Sequence, residues 1–222
     1  MARAEFDRDL SQLEAEIILM GGMVEAAIVG AVEALSERDL AKSKRVVEQD
    51  DRIDKKENEV EATAIELIRR EAPVASDLRR IMATLFVASE LERIGDYAEG
   101  IAKISLTMGS EPPLKKLIDI PRMADIALDM LKKSLEAFVE KDRKVAMDLA
   151  RSLGPADDEV DVLYDTVQTD LIALMKVTPE NIERATYLLW AAHNLERVAD
   201  RATNIAERAI YLVSGESVNV GA

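Results

Sequence analysis

Paired carboxylates are the side chains in this sequence best placed to do chemistry. The motif Glu-Arg-x-x-Asp occurs twice, with acids at Glu92 and Asp96 and again at Glu196 and Asp200. A spacing of four residues puts both acids of a pair on one face of a helix, with Cβ atoms roughly 5–6 Å apart. Like charges so placed destabilise a helix unless a cation or hydrogen bonds neutralise them, so each pair is a candidate cation site.

More acids precede each motif, at a distance that an antiparallel helical hairpin would bring level with it. We expect the first hairpin to turn near residue 73 and the second near residue 177. The acids that these hairpins collect opposite the motifs are Asp50, Asp51, Asp54 and Glu57 in the first half, and Asp157, Asp158 and Asp161 in the second. All-oxygen sites of this kind suit hard cations, or iron and manganese in octahedral geometry.

A plainer interpretation of the same residues stays open. A helix face that carries Glu, Arg and Asp is often solvated, with Arg93 or Arg197 paired to the neighbouring acids. Repetition of the motif favours a cation site without naming the cation. His193, one turn before Glu196, could be a ligand, but a histidine bonded to a neighbouring acid is favoured because Ser89 stands at the equivalent position of the first half.

Composition excludes several other kinds of site. The 222 residues include no cysteine and one histidine, which excludes disulfides, thiolate metal sites and zinc sites with several histidines. A net charge of −14 with no long basic run argues against nucleic-acid binding. No run of 18 apolar residues is present, so we expect no membrane-spanning helix, and the charged N-terminus has no signal-peptide core. A cytoplasmic location is the expectation.

The chain is predicted to be all-α. Apolar residues recur at helical spacing between sparse breaks at Pro73, Gly109–Pro113, Gly154-Pro155 and Pro179. These breaks predict six long antiparallel helices over residues 4–36, 38–71, 75–108, 116–140, 142–175 and 179–213.

The two halves of the sequence repeat each other. Residues 89–103 match residues 193–207, and residues 33–40 match residues 136–143. A tandem duplication of a three-helix bundle explains this, with one bundle over residues 1–109 and the second over residues 114–222.

These residues resemble a known family. The segments MGGMVEAAI at 20–28, PVASDLRRI at 73–81, LERIGDYA at 91–98, LERVADRATNIAE at 195–207 and YLVSGES at 211–217 are similar to those of the PhoU family of phosphate-signalling regulators. Their order and spacing fit along nearly the entire chain.

The resemblance implies a protein without enzymatic activity that binds multinuclear clusters of iron, zinc, manganese or magnesium. It implies an adaptor, often a homodimer, between a phosphate ABC transporter and a sensor histidine kinase, at the membrane only through these partners. Such an adaptor represses the phosphate-starvation response and restrains phosphate uptake. The metal ligands that it implies are Glu92, Asp96, Glu196, Asp200, Asp50, Asp54, Glu57, Asp157 and Asp161.

Two departures from the family pattern concern the second cluster. Ala199 replaces the glycine that is usual in the motif, and Tyr164 stands at the position equivalent to Glu57. We therefore expect the two clusters to differ in occupancy or in the number of metal ions. The alternatives to the regulator are a carboxylate-bridged metal centre with hydrolytic or redox activity, and a metal store.

Overall fold

A computed structural model describes residues 2–216 and 218–220, and all its regular structure over these ranges is helical, which confirms the predicted class. The helices are α1 (Ala2–Glu37), α2 (Leu40–Glu71), α3 (Ser76–Met108), α4 (Asp119–Val139), α5 (Arg143–Arg151), α6 (Gly154–Val177) and α7 (Ile182–Ser214), with a 3-10 turn at Pro179–Asn181 before α7. The outer limits of the two predicted bundles, at residues 1 and 222, and the final serine of the 211–217 segment lie outside the described residues.

The fifth predicted helix, 142–175, is wrong as a single element. It consists of two helices, α5 and α6, separated at Ser152 and Leu153. Pro155 lies in the first turn of α6, where its missing N–H group costs nothing, so the chain starts a new helix there instead of continuing the old one. Buried Leu153 anchors the junction in the core. Together α5 and α6 take the place that α2 occupies in the first half.

The caps show the duplication at the level of single residues. Asp39 accepts a hydrogen bond from the backbone N–H of Lys42 at 2.9 Å, ahead of α2. Asp142, its counterpart in the second half, accepts from the backbone N–H groups of Lys144 and Val145 at 2.9 and 3.0 Å, ahead of α5. Both aspartates satisfy helix-start donors that have no partner within the helix.

Two three-helix bundles pack side by side. Helices α1, α2 and α3 contact one another, as do α4, α7 and the α5–α6 pair, and the bundles join through α1 against α4 and α3 against α7. Gly21 explains part of this join, because a Cβ atom there would strike Cδ1 of Leu135 on α4. The glycine inside α1 therefore marks a close helix crossing, and one apolar core runs through both bundles.

One described helix, Ala4–Glu37 of α1, is long and apolar enough to cross a membrane by length and composition. Acidic residues interrupt its apolar run, and the expectation that no helix spans a membrane stays a prediction. Its positions Ile17, Met20, Val24 and Ile28 are fully buried against the other helices, as in a core helix of a water-soluble bundle.

Removing a core side chain tests this packing. Leu91 on α3 is fully buried, so we expect Leu91→Ala to lower the free energy of unfolding by about 2–5 kcal/mol through lost burial and the cavity left behind. Ile65 on α2 is 55% exposed, and Ile65→Ala is the matched control, for which we expect a change within about 0.5 kcal/mol. Urea unfolding followed by circular dichroism measures both, and equal losses would contradict the packing.

Candidate metal centre

Three carboxylates meet where α2 packs against α3. Asp50 and Asp54 on α2 and Asp96 on α3 each offer an oxygen atom, and these oxygens lie within 4.8 Å of one another. Asp50 and Asp54 are half-buried, and Asp96 is exposed. The predicted hairpin thus brings these acids level with the first motif.

Glu92 and Glu57 flank the trio. Burial first, and then the charges of Asp96, Glu57 and Asp54, raise the pKa of Glu92 to about 7. Burial also raises the pKa of Glu57, together with the charges of Glu61 and Asp54. Burial is thus the main reason that these carboxyl groups resist ionisation, and the neighbouring negative charges add to it.

The pKa values of two members of the trio, Asp50 and Asp96, are also raised. Burial, and then the charges of Glu99, Asp54 and Asp96, raise the pKa of Asp50 to about 6. Burial and the charges of Asp54 and Glu99 raise the pKa of Asp96. Lys103 opposes both shifts and is itself ion-paired to Glu99.

Glu99 was missed by the sequence analysis, although it faces the trio. It lies on α3 seven residues after Glu92 and three after Asp96, a spacing that keeps all three on one helix face. This helical spacing is the sequence signal that could have identified Glu99. The repeat does not reinforce it, because the equivalent residue of the second half, Thr203, is not acidic.

A glycine sets the approach of the two helices at this site. A Cβ atom at Gly95 would lie 3.1 Å from Cδ1 of Ile53 and 3.4 Å from a carboxylate oxygen of Asp50. The missing side chain therefore lets α2 come close to α3 next to the acids. In the second half Ala199 carries a methyl group at this position, and it is buried.

The second hairpin also gathers its predicted acids. Burial, and then the charges of Asp161 and Asp200, raise the pKa of Asp157 to about 6. Burial and the charge of Glu196 raise the pKa of Asp161. Within the described residues, however, only the first hairpin brings three such oxygen atoms within the 4.8 Å limit.

Neighbouring side chains of α7 already contact both acids of the second motif. A carboxylate oxygen of Glu196 lies 2.7 Å from Nδ1 of His193, at hydrogen-bond distance. This agrees with the prediction of a histidine bonded to a neighbouring acid. The ring of Tyr164 lies 5.9 Å from the His193 ring, so these two residues pack over the position that an acid fills in the first half. Arg197 lies 3.4 Å from a carboxylate oxygen of Asp200.

The alternative interpretation, a solvated helix face on which arginine pairs with the motif acids, fits the second half better than the first. In the first half Arg93 makes its ion pair, at 3.8 Å, with Glu90 and not with an acid of the trio. The trio keeps an excess of negative charge that a cation would relieve, and its donors are all oxygen, as hard cations and octahedral iron or manganese require. The residues of the first hairpin fit a metal ion on this observation.

Helices α3 and α7 cross antiparallel between the two motifs. Glu90 on α3, which is 4% exposed, accepts hydrogen bonds from Asn204 at 2.9 Å and from Arg201 at 3.4 Å. Further along, Asn194 on α7 fills the space beside Gly100, where a Cβ atom would lie 2.8 Å from the Asn194 amide nitrogen. Gly100 departs from the asparagine of the second half because the interface leaves it no room.

The fold and the site define an all-α protein built from a duplicated three-helix bundle, with an acidic helical hairpin in each half. Comparison with known protein families also finds one domain twice in the chain. The PhoU domain family matches residues 17–105 and again residues 120–209. Because these two matches cover most of the chain, the protein belongs to the PhoU family.

Relatives are similar over the whole chain. A phosphate-specific transport system accessory protein PhoU homolog of Clostridium acetobutylicum is 35% identical over 221 residues, covering 99% of each chain. One of the same description from Aquifex aeolicus is 37% identical over 211 residues, covering 95% of this chain and 94% of its own.

Solved structures support the fold. The crystal structure of PhoU from Pseudomonas aeruginosa has a TM-score of 0.88 and 33% identity, covering 95% of this chain and 100% of its own. The structure of the phosphate transport system regulatory protein PhoU from Streptococcus pneumoniae has a TM-score of 0.85 and 31% identity, covering 96% of this chain and 99% of its own.

The raised pKa values give the metal-free protein an unusual pH dependence. For Asp50, Glu92 and Asp157 the pKa rises on folding to about 6, 7 and 6. The folded chain then binds more protons than the unfolded chain between about pH 4 and 7, so the stability contributed by these groups is highest at or below about pH 4 and falls as the pH rises to about 7.

We expect chelator-treated protein to melt at a lower temperature at pH 8 than at pH 5.5, measured by circular dichroism at fixed ionic strength. Added divalent metal should remove most of this difference, because a bound cation replaces the protons. A melting temperature that rises from pH 5.5 to pH 8 without metal would contradict the crowding of the acids.

Proposed function

We propose that this chain is a negative regulator of the phosphate-starvation response and of phosphate uptake. It would act by binding, as an adaptor between a phosphate ABC transporter and a sensor histidine kinase. The observation that carries the proposal is the whole-length similarity to phosphate transport accessory proteins of the same fold, at 35% identity over 99% of the chain. The same comparison supports the non-enzymatic part of the proposal.

We propose metal binding at the acidic hairpins as part of this function. Asp50, Asp54 and Asp96 would hold a metal ion in the first half, with Glu57 and Glu92 beside them. Glu196, Asp200, Asp157 and Asp161 are the corresponding set of the second half. The metal would be iron, zinc, manganese or magnesium. Its positive charge would neutralise the carboxylates and hold the two helices of each hairpin together. Because His193 and Arg197 already engage Glu196 and Asp200, we expect the second set to bind more weakly.

Charge and surface chemistry support partner binding at the membrane rather than direct attachment. A net charge of −14 attracts basic patches on proteins and opposes contact with anionic lipid. Ile18, Leu19 and Val29 on α1 are 43%, 55% and 40% exposed and lie on one helix face, which offers an apolar surface to another protein or to a second copy in a homodimer. A cytoplasmic location is part of the proposal.

One observation favours a catalytic alternative. Glu92 has a pKa of about 7, near the operating pH at which a carboxylate is an effective general base, and it lies beside a candidate metal site. Such a centre could activate water for hydrolysis. The regulator remains preferred because the relatives are named as transport accessory proteins.

Substitution of the trio tests the metal site. We expect Asp54→Asn/Asp96→Asn protein to lose the metal of the first hairpin, because two of its three converging ligand oxygens are replaced by weaker neutral donors. Asp51→Asn is the matched control, since Asp51 is an exposed neighbour outside the trio and should keep the metal. Mass spectrometry of total metal on untagged protein reports both.

Equal metal content in the three proteins would remove the metal from the proposal and leave the adaptor. Metal-dependent hydrolysis of a phosphate ester that disappears in the double variant would support the catalytic alternative instead.

Deletion of the gene tests the regulatory role. We expect a phosphate-starvation reporter to be expressed constitutively in phosphate-rich medium, because the repressing adaptor is missing. Reintroducing the wild-type gene should restore repression. An unchanged reporter in a strain that has no second protein of this family would contradict the regulator and favour a metal store.

A further inference from the structure

Arg38 is a charged residue with too few acceptors. It follows the last residue of α1 in a left-handed backbone conformation, with φ of 60°, and its side chain reaches α3. There Nη1 donates to the thioether sulfur of Met108 at 3.5 Å, which is a weak acceptor. Its Nε and Nη2 atoms are buried and have no hydrogen-bond partner among the described residues.

Arg184 reaches the same place from the start of α7. Its Nη1 lies 3.3 Å from a carboxylate oxygen of Glu111, and its Nη2 donates to the backbone carbonyl of Pro112. Its Nε atom is also buried without a partner among the described residues. Burial and the neighbouring charge of Arg184 lower the pKa of Arg38, while Glu111 raises it. Glu111 therefore pairs directly with Arg184 and affects Arg38 only through its charge.

The first half shows how such an arginine is normally satisfied. Arg80 stands at the position equivalent to Arg184, and its Nε and Nη2 atoms donate to Glu14 at 3.0 and 2.7 Å. In the second half the position equivalent to Glu14 is Leu117, just before α4 begins. The bidentate acceptor has been lost, and Arg184 has kept its charge.

We propose that Arg38 and Arg184 form the binding site of a tetrahedral oxyanion, and that the anion is free inorganic phosphate. Three buried N–H-bearing atoms, two on Arg38 and one on Arg184, lack acceptors, and a phosphate ion offers several oxygen atoms to planar guanidinium groups. The side chain of Glu111 is 68% exposed, so its carboxylate can leave the arginines when an anion enters. The oxyanion site rests on this geometry, and only the choice of phosphate rests on the proposed function.

The proposed anion site lies between the two bundles. Arg38 belongs to the α1–α2 turn of the first bundle, Arg184 to α7 of the second, and Glu111 and Pro112 to the segment between them. An anion held by both arginines would tie these three parts together. Phosphate would then change how firmly the two bundles are joined at this end.

The test is a titration of the full-length protein with sodium phosphate, followed by isothermal calorimetry and by the melting temperature. Chelator is present throughout, so that metal at the acidic hairpins contributes nothing. We expect saturable binding of one phosphate per chain, a higher melting temperature, and a loss of affinity of about tenfold or more in Arg38→Gln and in Arg184→Gln. Arg79→Gln, which removes an exposed arginine outside this pair, is the matched control and should bind as the wild type does.

Sodium sulfate and sodium chloride at equal ionic strength complete the experiment. Competition by sulfate but not by chloride would support a site for tetrahedral dianions. Absence of saturable binding by the wild-type protein would overturn the proposal, and this result does not depend on whether a variant folds. Equal weakening in Arg79→Gln, or an equal effect of chloride, would also overturn it. The deletion phenotype is scored separately, so the regulator can stand if the anion site fails.

Discussion

The mutual repulsion of crowded carboxylates is the constraint around which this molecule is arranged. Three acids of the first hairpin hold oxygen atoms within 4.8 Å of one another, and partial burial together with the neighbouring negative charges raises the pKa values of Asp50 and Glu92. Apolar packing around the hairpin holds the acids there against this force. Leu91 and Ile94 lie in the same stretch of α3 as Glu92 and are fully buried, so the residues that fix the site and those that oppose it alternate along one helix.

Much of this arrangement could be predicted from the sequence, because it depends on periodicity. The breaks at Pro73 and Gly109 place the ends of α2 and α3 within a few residues, and antiparallel pairing then brings Asp50 and Asp54 level with Asp96. The bond between His193 and Glu196 follows from a spacing of three residues on one helix.

What could not be predicted depends on contacts between segments distant in the chain. The Gly154-Pro155 break was a local signal for the separation of α5 from α6, but helical periodicity runs through that point, and the burial of Leu153 in the core is visible only in the structure. The role of Gly95 requires knowing that Ile53 lies opposite it. The unequal geometry of the two acidic hairpins is of the same kind, since the sequence shows that Tyr164 replaces an acid but does not show how far apart the remaining oxygen atoms lie.

The crossing of α3 and α7 determines which halves can pair. The contacts are reciprocal between equivalent positions, since Glu90 corresponds to Asn194 and Gly100 to Asn204, but the side chains differ. Glu90 meets Asn204, while Gly100 meets Asn194. Two copies of the first half would set the buried Glu90 carboxylate against Gly100, which has no amide to donate. Two copies of the second half would set Asn194 against Asn204, where the close approach beside Gly100 leaves no space for a side chain. The interface therefore keeps the reciprocal, isologous geometry of a two-fold pair, but its side chains have diverged into a pairing that two identical halves could not make.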